Sequence, residues 1–185
     1  MINETLAEAR QKMGKAIDAT QDSFGSVRTG RANPALFANI EVDYYGAPTP
    51  LQQLASFQVP EARTLLITPY DRGALGNIES ALRNSDIGAN PANDGNIIRV
   101  VLPELTEERR KEYVKLVKGH AEEGKVSVRN IRRKAKEALE KIQKDGEAGE
   151  DEVRSGLSEL EDLTKKKVEE IDSLLAAKES ELLEV

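Results

Sequence analysis

The sequence predicts an α+β protein in which a small α+β domain is inserted into an elongated three-helix bundle. Three segments carry apolar residues at steps of three and four, the spacing of a helix with one buried face. The stretch between the first two segments instead contains short β-rich runs bounded by proline, glycine and aspartate. The composition agrees, since 32% of the 185 residues are charged and only 4% are aromatic, a mixture typical of long amphipathic helices.

The first helix is predicted from residue 3 to about residue 27. Asn3 has a side chain suited to an N-cap, and Glu4 beside it favours the positive end of the helix dipole. One face repeats apolar or small groups at Leu6, Ala9, Met13, Ile17, Thr20, Phe24 and Val27. We expect this face to be the contribution of the first helix to a bundle core.

Two further helices are predicted after residue 105. The second runs from Thr106, an expected N-cap, to about residue 144, and the third shows its apolar stripe from Val153 to Leu182. The intervening “DGEAGED” is short, so these helices are expected to be antiparallel neighbours with a shallow crossing angle. Gly124 lies in mid-helix, where glycine lowers helix stability by up to about 1 kcal/mol.

The inserted domain is predicted between the first and second helices. We expect strands at 39–46 and 62–71, a short amphipathic helix at 76–86, and a turn followed by a strand within 89–103. The runs are rich in Val, Ile, Leu and Tyr, which suit a pleated, half-buried surface. They indicate a small sheet with one helix.

Two crossings join the bundle to the insert, so the predicted domains are 1–29 with 105–185 for the bundle and 30–104 for the insert. Gly30 tolerates a conformation that other residues disfavour, and Pro34 keeps the residue before it out of the helical region. In the second crossing, Pro103 acts on Leu102 in the same way. Gly30, Pro34, Leu102 and Pro103 are the candidate residues of a hinge. A rigid elbow is equally compatible with this pattern.

No segment matches a catalytic or cofactor site, so we expect a protein that is not an enzyme and that holds neither metal nor cofactor. His120 is the only histidine and cysteine is absent, which leaves no partners for a nucleophile–histidine pair or a thiolate zinc site. His120 itself is expected on the surface. “GALGNI” lacks the third glycine of a dinucleotide fingerprint. With no secretion signal and no apolar run of membrane-spanning length, the expected location is the cytoplasm, away from membranes.

Charge is distributed unevenly behind the net charge of −6. Residues 109–134 contain ten basic and three acidic residues, whereas 145–185 contain five basic and fourteen acidic residues. At about 100° per residue, the cations of the second helix form one band beside its apolar stripe: Lys111, Lys118, Lys125, Arg129, Arg132 and Lys136. Such a band suits the phosphates of a polyanion, and Arg28 and Arg31 extend it. The alternative is a solvated face that pairs with the acidic third helix.

Tyr44 and Tyr45 are adjacent in the first predicted strand. Their rings suit stacking on nucleic-acid bases. Neighbouring strand residues point to opposite faces of a sheet, however, so at least one of the two is expected in the core.

Six segments are the most recognisable parts of the sequence, in order along almost the whole chain. They are “VRTGRANPAL”, “YYGAPTPLQQLA”, “ARTLLITPYD”, “NPANDGNIIRV”, “LPELTEERRKEYVK” and “KVSVRNIRRKA”. Together they resemble the bacterial ribosome recycling factor family. No single segment is decisive, but six in register are highly specific.

The resemblance implies an L-shaped protein with a long three-helix bundle and a small β/α/β domain joined by a flexible hinge. Proteins of this family act after peptide release, when elongation factor G and its GTP hydrolysis help them to split the post-termination ribosome into subunits. Messenger RNA and deacylated tRNA are freed. The implied partners are the 70S ribosome, large-subunit ribosomal RNA beneath the bundle, and elongation factor G at the small domain. The protein itself is expected to be a monomer.

By position, the resemblance also assigns RNA contacts to basic residues. “RNIRR” supplies three arginines, of which Arg132 is the first candidate, and “RTGRA” and “TEERR” supply two each. With two lysines of the cationic band, the predicted RNA-binding set is Arg28, Arg31, Arg109, Arg110, Lys118, Lys125, Arg129, Arg132 and Arg133.

Two other classes of function are considered beside this one. A helical adaptor would carry a second apolar stripe on the outside of the bundle, and the sequence shows none. A stand-alone RNA chaperone would bind free RNA and would need no elongation factor. Dependence on that factor therefore distinguishes recycling from chaperone activity.

Overall fold

The computed structural model describes residues 1–87 and 90–184. The chain divides into two compact units, one formed by Met1–Val27 with Glu112–Val185 and the other by Arg28–Lys111. The second unit extends beyond the predicted insert at both ends, so the predicted domain limits stay a prediction.

Helices and strands alternate in five blocks along the chain. The helices are α1 (Ile2–Gly25), α2 (Pro34–Phe37), α3 (Leu75–Arg83), α4 (Glu107–Lys144) and α5 (Glu150–Leu183). The strands are β1 (Glu41–Tyr44), β2 (Ala47–Pro50), β3 (Ala55–Glu61), β4 (Thr64–Pro69), β5 (Asn90–Asn93) and β6 (Ile98–Val101). Short 3-10 turns occur at Leu51–Gln53 and Arg72–Ala74.

The first unit is the helical bundle that the three apolar stripes predict. Its core contains side chains from α1, α4 and α5, among them Met13, Ile17, Val117, Val128, Leu139, Val153, Leu160, Ile171 and Leu182. With about 1.5 Å of rise per residue, the 38 residues of α4 make a rod of roughly 57 Å. One helix therefore presents side chains along a long surface.

The predicted cap of α4 is confirmed, and the predicted cap of α1 is wrong. Thr106 Oγ1 accepts a hydrogen bond from the Arg109 backbone N–H at 3.2 Å, which satisfies one of the free donors of the first turn. α1 begins at Ile2 after Met1, so Asn3 lies inside its first turn. This earlier start is stabilised by Thr5, whose backbone N–H and hydroxyl both donate to the Met1 carbonyl, at 3.0 and 2.9 Å.

A glycine turn reverses the chain between α4 and α5. Gly146 has φ +72°, its N–H donates to the Gln143 carbonyl at 3.1 Å, and the Glu147 N–H donates to the Ile142 carbonyl at 3.1 Å. This pair of bonds is a Schellman motif, in which a left-handed glycine satisfies the last carbonyls of a helix. The reversal makes α4 and α5 antiparallel, as predicted.

Gly124 is needed for packing, which its helix propensity alone does not reveal. A methyl group at this position would overlap Thr20 Oγ1 of α1 and would lie 3.4 Å from Ile171 Cδ1 of α5. The Thr20 hydroxyl already donates to the Ala16 carbonyl at 2.9 Å, so it fits beside α4 only where no side chain intervenes. The close approach of three helices offsets the intrinsic cost of glycine in α4.

The second unit contains a sheet and a separate hairpin. The four-stranded antiparallel sheet has the order β3-β4-β6-β5, and β1 pairs with β2. A core of fully or nearly fully buried residues includes Phe37, Val42, Leu51, Leu65, Ile67, Ile78, Leu82, Ile98, Val100 and Leu102. The predicted combination of a long helical bundle with a small sheet domain is confirmed.

Strand prediction succeeded for β1, β4 and β6 and missed the other three strands of the described residues. β3 and β5 are the two edges of the sheet, and both contain proline, as does β2. Proline is tolerated at edges because its missing N–H removes no bond from an interior ladder. The predicted helix at 76–86 is α3. The predicted segment 89–103 begins at Ala89, which lies outside the described residues.

The first crossing has the backbone that its sequence predicts. Gly30 adopts φ +79°, and Asn33 is extended at φ −119° and ψ 118° before Pro34. The Asn33 side chain accepts a hydrogen bond from the Ala35 N–H at 3.0 Å and caps α2. Proline at the first position of that helix removes a donor that would have no partner.

Both crossings are hydrogen-bonded to the turn between β3 and β4 of the second unit. The Ala32 N–H donates to the Ala62 carbonyl at 2.6 Å, and the Leu102 N–H donates to the Arg63 carbonyl at 2.8 Å. Leu102 is 6% exposed and belongs to the core. Residues 102–106 form neither helix nor strand, and within them Leu102 is the residue held by the hydrogen bond to Arg63.

Candidate nucleic-acid interface

Three predicted RNA-binding cations of α4 face α5 and pair with its carboxylates. We call Lys118, Lys125 and Arg132 the α5-facing cations. Their partners are Glu179 at 4.0 Å from Lys118, Asp172 beside Lys125, and Glu161 at 2.7 Å from Arg132. The residue numbers of the carboxylates decrease along α5 as those of the cations increase along α4, because the two helices are antiparallel. The alternative reading, a face that pairs with the acidic helix, is therefore correct for this side of α4.

Lys125 is the most enclosed of the three, with 14% of its side chain exposed. The hydrogen bond from its ammonium to the Asp172 carboxylate raises the pKa of Lys125, and the charge of Glu122 at 3.6 Å adds to this, against an opposing effect of burial. An ammonium held by two carboxylates is poorly available to an external phosphate. Lys125 therefore stabilises the packing of α4 on α5.

Arg132 is partly exposed to solvent and also forms an ion pair within the bundle. Its side chain is 36% exposed, Nη1 donates to Glu161 Oε1 at 2.7 Å, and Nε is buried without a hydrogen-bond partner among the described residues. A guanidinium has five N–H donors, so donors remain after the contact with Glu161. That contact fixes the plane of the guanidinium while part of it stays accessible.

Arg129 and Arg133, which we call the outer arginines, point away from the core. Both are exposed, and neither forms an ion pair within residues 1–87 and 90–184. Two other members of the predicted band are paired along α4 itself, Lys111 with Glu107 at 3.5 Å and Lys136 with Glu140 at 3.8 Å. The outer arginines thus carry the predicted positive charge that the bundle leaves unneutralised, in a form that suits bidentate phosphate contacts.

The remaining predicted RNA-binding residues lie in the second unit. The Arg28 guanidinium donates to the carbonyls of Ile87, at 3.2 Å, and Asp86, so it holds the first crossing to the segment after α3. Arg31 and Arg109 are exposed, and Arg110 is half-buried with Nε enclosed. The contacts of Arg28 are those of a structural residue.

His120 lies at the surface of α4 in a half-buried position. Its side chain is 25% exposed, and Nδ1 lies 3.8 Å from Glu123 on the next turn of α4. Within the described part of the chain, no cluster of histidine and carboxylate side chains has the arrangement of a metal site. No described helix is both long and apolar enough to cross a membrane.

A groove that the sequence does not predict lies between α1 and α4. Asn130 and Lys134 form one wall, and Thr5, Glu8 and Lys12 of α1 form the other. The spacing of Asn130, Lys134 and Ala138 by four residues places them on one side of α4, which is a signal in the sequence. Their partner helix has no such signal, because the register of α1 against α4 depends on packing.

The two adjacent tyrosines share one carboxylate, although only Tyr44 is partly buried against the core of the second unit, as expected for one of the pair, and Tyr45 is 80% exposed. The hydroxyls of Tyr44 and Tyr45 donate to Asp71 Oδ2 at 3.1 and 3.0 Å, and the rings meet edge to face at 4.6 Å. Tyr45 is outside β1, at φ +50°, in a turn with Gly46, so the alternation of the strand no longer applies. The Gly73 N–H and both phenols lower the pKa of Asp71, and Asp71 raises the pKa of each tyrosine.

Comparison with known sequences places the whole chain among translation factors. The family model described as ribosome recycling factor matches residues 20–183. The ribosome-recycling factor of Renibacterium salmoninarum is 68% identical over 185 residues, covering 100% of both chains. That of Kocuria rhizophila is 67% identical over 183 residues, covering 99% of each.

Solved structures agree with the sequence comparisons. A solution structure of the ribosome recycling factor has a TM-score of 0.78 and 41% identity, covering 100% of this chain and 98% of that one. A second structure models the T. thermophilus ribosome recycling factor and E. coli elongation factor G bound to the E. coli post-termination complex, with a TM-score of 0.71, 42% identity and full coverage of both chains. With matches of this identity over its whole length, the chain belongs to the ribosome recycling factor family.

Proposed function

We propose that the protein splits post-termination ribosomes into subunits together with elongation factor G and GTP, and so releases messenger RNA and deacylated tRNA. Its family supports this function, as does the related factor placed with elongation factor G on a post-termination complex. GTP hydrolysis belongs to the elongation factor, and this protein acts without a catalytic group, cofactor or metal of its own. Its partners place it in the cytoplasm, where it works as a monomer on the 70S ribosome.

The observation that carries the RNA-binding part of the proposal is the unneutralised charge of Arg129 and Arg133. Both are exposed on α4 without ion pairs to described residues, so contact with RNA phosphates costs no internal pair. Arg132, oriented by Glu161, adds a third guanidinium one turn of helix away from Arg129. Charged hydrogen bonds of this kind contribute about 1.5–3 kcal/mol each. We propose that these three arginines hold large-subunit ribosomal RNA.

The other predicted RNA-binding residues take lesser parts in this proposal. Lys118 and Lys125 add long-range attraction while paired with α5. Arg31, Arg109 and Arg110 are candidates for peripheral phosphate contacts. Arg28 keeps its structural contacts with the segment after α3.

We further propose that the crossings act as a hinge that lets the bundle stay on RNA while the elongation factor moves the small domain. The hydrogen bond of Leu102 fixes the chain before Pro103, which moves the pivot from Leu102 to residues 103–106. The first crossing pivots beside Gly30, whose left-handed conformation brings it against Leu105. An ideal Cβ at residue 30 lies 3.6 Å from Leu105 Cγ, so the two crossings move as neighbours.

An engineered disulfide tests this hinge. The chain has no cysteine, so Gly30→Cys with Leu105→Cys supplies its only two thiols. A side chain at the left-handed residue 30 is strained, and the reduced form of the same variant carries that strain equally and is the control. The oxidised protein should bind ribosomes as the reduced protein does and should split them more slowly. Equal splitting rates before and after reduction would show that motion at the crossings is not required.

The function itself is tested by light scattering of post-termination ribosomes. Subunit splitting should require the protein, elongation factor G and GTP together, and a non-hydrolysable GTP analogue should prevent turnover. Splitting by the protein without the elongation factor would support a stand-alone RNA activity instead. Binding to large subunits should weaken steeply with salt, since phosphate contacts release counterions.

A further inference from the structure

The groove between α1 and α4 has the size of a site for one small ring system. Its volume is about 230 Å³, below the roughly 300–1,000 Å³ of pockets for drug-sized ligands. Its apolar lining consists of the buried Ala9 and Ala135, the half-buried Ile131 and the exposed Ala138. Small side chains let the two helices leave an open apolar slot between them. A flat apolar face fits such a slot better than a charged or branched group.

The rim of this groove supplies polar groups of two kinds. Asn130 offers a hydrogen-bond donor and an acceptor on one amide, and Lys134 offers an ammonium. Both are exposed and form no ion pair or side-chain hydrogen bond with other described residues. On the opposite wall, Glu8 and Lys12 neutralise each other at 2.7 Å. The lining as a whole therefore has an excess of one positive charge.

A second groove of the bundle is acidic and therefore unsuited to binding RNA. It lies between α1 and α5 and is lined by Met1, Ile2 and Leu6 together with carboxylates of Glu147, Asp151, Glu152 and Glu159. None of its lining side chains is basic. Phosphates are repelled from such a surface, whereas the groove between α1 and α4 attracts them.

The position of the α1–α4 groove links it to the outer arginines. Asn130 follows Arg129 and Lys134 follows Arg133 along α4, so each rim residue is displaced by about 100° from its neighbouring arginine. An RNA strand whose phosphates meet the outer arginines passes within one side chain of the slot. Unpaired bases of RNA are commonly turned out of the stack and held by their edges in this way.

We propose that the α1–α4 groove binds one unstacked nucleobase of the RNA strand held by Arg129 and Arg133, an inference that rests on the proposed RNA-binding function. The base lies on Ala9, Ala135 and Ala138, and the Asn130 amide bonds to its edge. Adenine matches best, because its amino group donates and its ring nitrogens accept, the complement of an asparagine amide. Lys134 contacts the phosphate of the same nucleotide.

Base-specific chemical probing of large ribosomal subunits tests this site. Dimethyl sulfate reports on adenine N1 and diethyl pyrocarbonate on adenine N7, and hydroxyl radicals report on the sugar backbone. Bound wild-type protein should protect one adenine at N1 or N7 within its backbone footprint. Asn130→Ala and the groove-filling Ala138→Leu should restore the reactivity of that base and weaken affinity by about fivefold to 100-fold, with the backbone footprint still present at saturating protein.

Matched variants separate this inference from the function on which it rests. Ala177→Leu makes the same change at an exposed position of α5, and its base protection should equal that of wild type. Arg133→Glu should shift the backbone footprint and the base protection together to protein concentrations about 10- to 100-fold higher. A backbone footprint with no protected base, or a protected base that is indifferent to Asn130→Ala and Ala138→Leu, overturns the nucleobase site alone. Absence of any RNA footprint overturns the RNA-binding proposal itself. Thermal melts exclude unfolding as the cause.

Discussion

The positive charges on the two long sides of α4 differ in whether they form ion pairs with α5. On the side facing α5, Lys125 and Arg132 meet carboxylates across the helix interface. On the outer side, Arg129 and Arg133 meet none within the described residues. The helical period places Lys125, Arg129 and Arg132 in one band, with Arg133 beside it. A neighbouring helix decides which of these charges remain available. The number of basic residues on a helix is therefore not the number that is available to bind a partner molecule.

The free energy that each charge contributes depends on whether its partner lies within the protein or on the RNA. A solvent-exposed ion pair within a protein contributes about 0–1 kcal/mol to folding. A charged hydrogen bond to an external phosphate contributes about 1.5–3 kcal/mol to binding. Changes at Lys118 and Lys125 should therefore appear mainly in stability, and changes at the outer arginines mainly in affinity. Changes at Arg132, which has both an internal partner and accessible donors, should appear in both.

The largest expected effect is that of Arg133→Glu on the outer side. Affinity for large ribosomal subunits should fall about 10- to 100-fold, because a phosphate contact is lost and a repelling carboxylate is added. The free energy of unfolding should change by about 0.5 kcal/mol or less, as for other exposed positions. Binding titrations and thermal melts measure the two quantities.

Arg10→Glu is the matched control for this variant. Arg10 is exposed on α1 without an ion pair to described residues, and it lines a groove with α5. The control alters net charge equally but lies away from the outer arginines. If both variants lose the same affinity, overall charge explains binding, and the outer arginines have no special role.

A charge exchange at Arg132 and Glu161 gives the next largest effect and sharpens the comparison. Arg132→Glu should weaken binding about tenfold and lower the free energy of unfolding by up to about 1 kcal/mol, since it removes both a phosphate contact and an internal pair. Adding Glu161→Arg should restore stability but leave binding weak. Recovery of binding by the exchange would show that the position of the guanidinium on α4 is unimportant.

Arg154→Glu serves as the control for this exchange. Arg154 pairs with Glu150 at 2.9 Å on α5, so its replacement breaks an ion pair far from the predicted RNA contacts. Its binding to large subunits should equal that of wild type. A tenfold loss in this variant would contradict a local role for Arg132.

Lys125→Met should show a smaller effect, and on stability alone. Near neutral pH, it should lower the free energy of unfolding by about 1 kcal/mol and change ribosome affinity less than threefold. Because the folded state raises the pKa of Lys125 above its ordinary value of 10.5, the stabilising contribution is complete below that value. It is lost as pH rises through the higher folded pKa, so wild type and variant should converge in alkali. Denaturant unfolding across this range measures the difference, and a constant gap would refute the ion pair as its source.

The smallest effect is expected at Asp71 of the second unit, where a carboxylate is satisfied by phenols and a backbone amide. Asp71→Asn should lower the pKa of Tyr44 and Tyr45 towards 10.0, the ordinary value for tyrosine. In the wild type, the folded pKa of Asp71 lies below 3.8. Its contribution to folding is therefore complete above that value and is lost as pH falls through the lowered one. Tyrosine absorbance during alkaline titration measures the change, and identical curves would disprove the shared hydrogen bonds.

Much of the fold was predictable because its signals are local. The Thr106 cap, the left-handed Gly30 and the extended Asn33 each depend on a few neighbouring residues, and all three are observed. The helices of the bundle follow from the apolar period. The edge strands β2, β3 and β5 were not predicted because they contain proline and lack alternating apolar residues. Pairing with a neighbouring strand holds them in place, and this pairing leaves no pattern in their own sequence.

Only the tertiary structure decided which candidate residues are available and where grooves occur. Arg132 and Glu161 are separated by 29 positions in the sequence, and no local pattern states that their side chains meet. From the sequence, Gly124 is only a weak helix former. The structure shows that Thr20 of α1 packs against it where a side chain would not fit. The sequence by itself determined the helices, their charges and the family. The register between helices determined the paired cations, the outer arginines and the α1–α4 groove, because packing and ion pairing join residues that are distant along the chain.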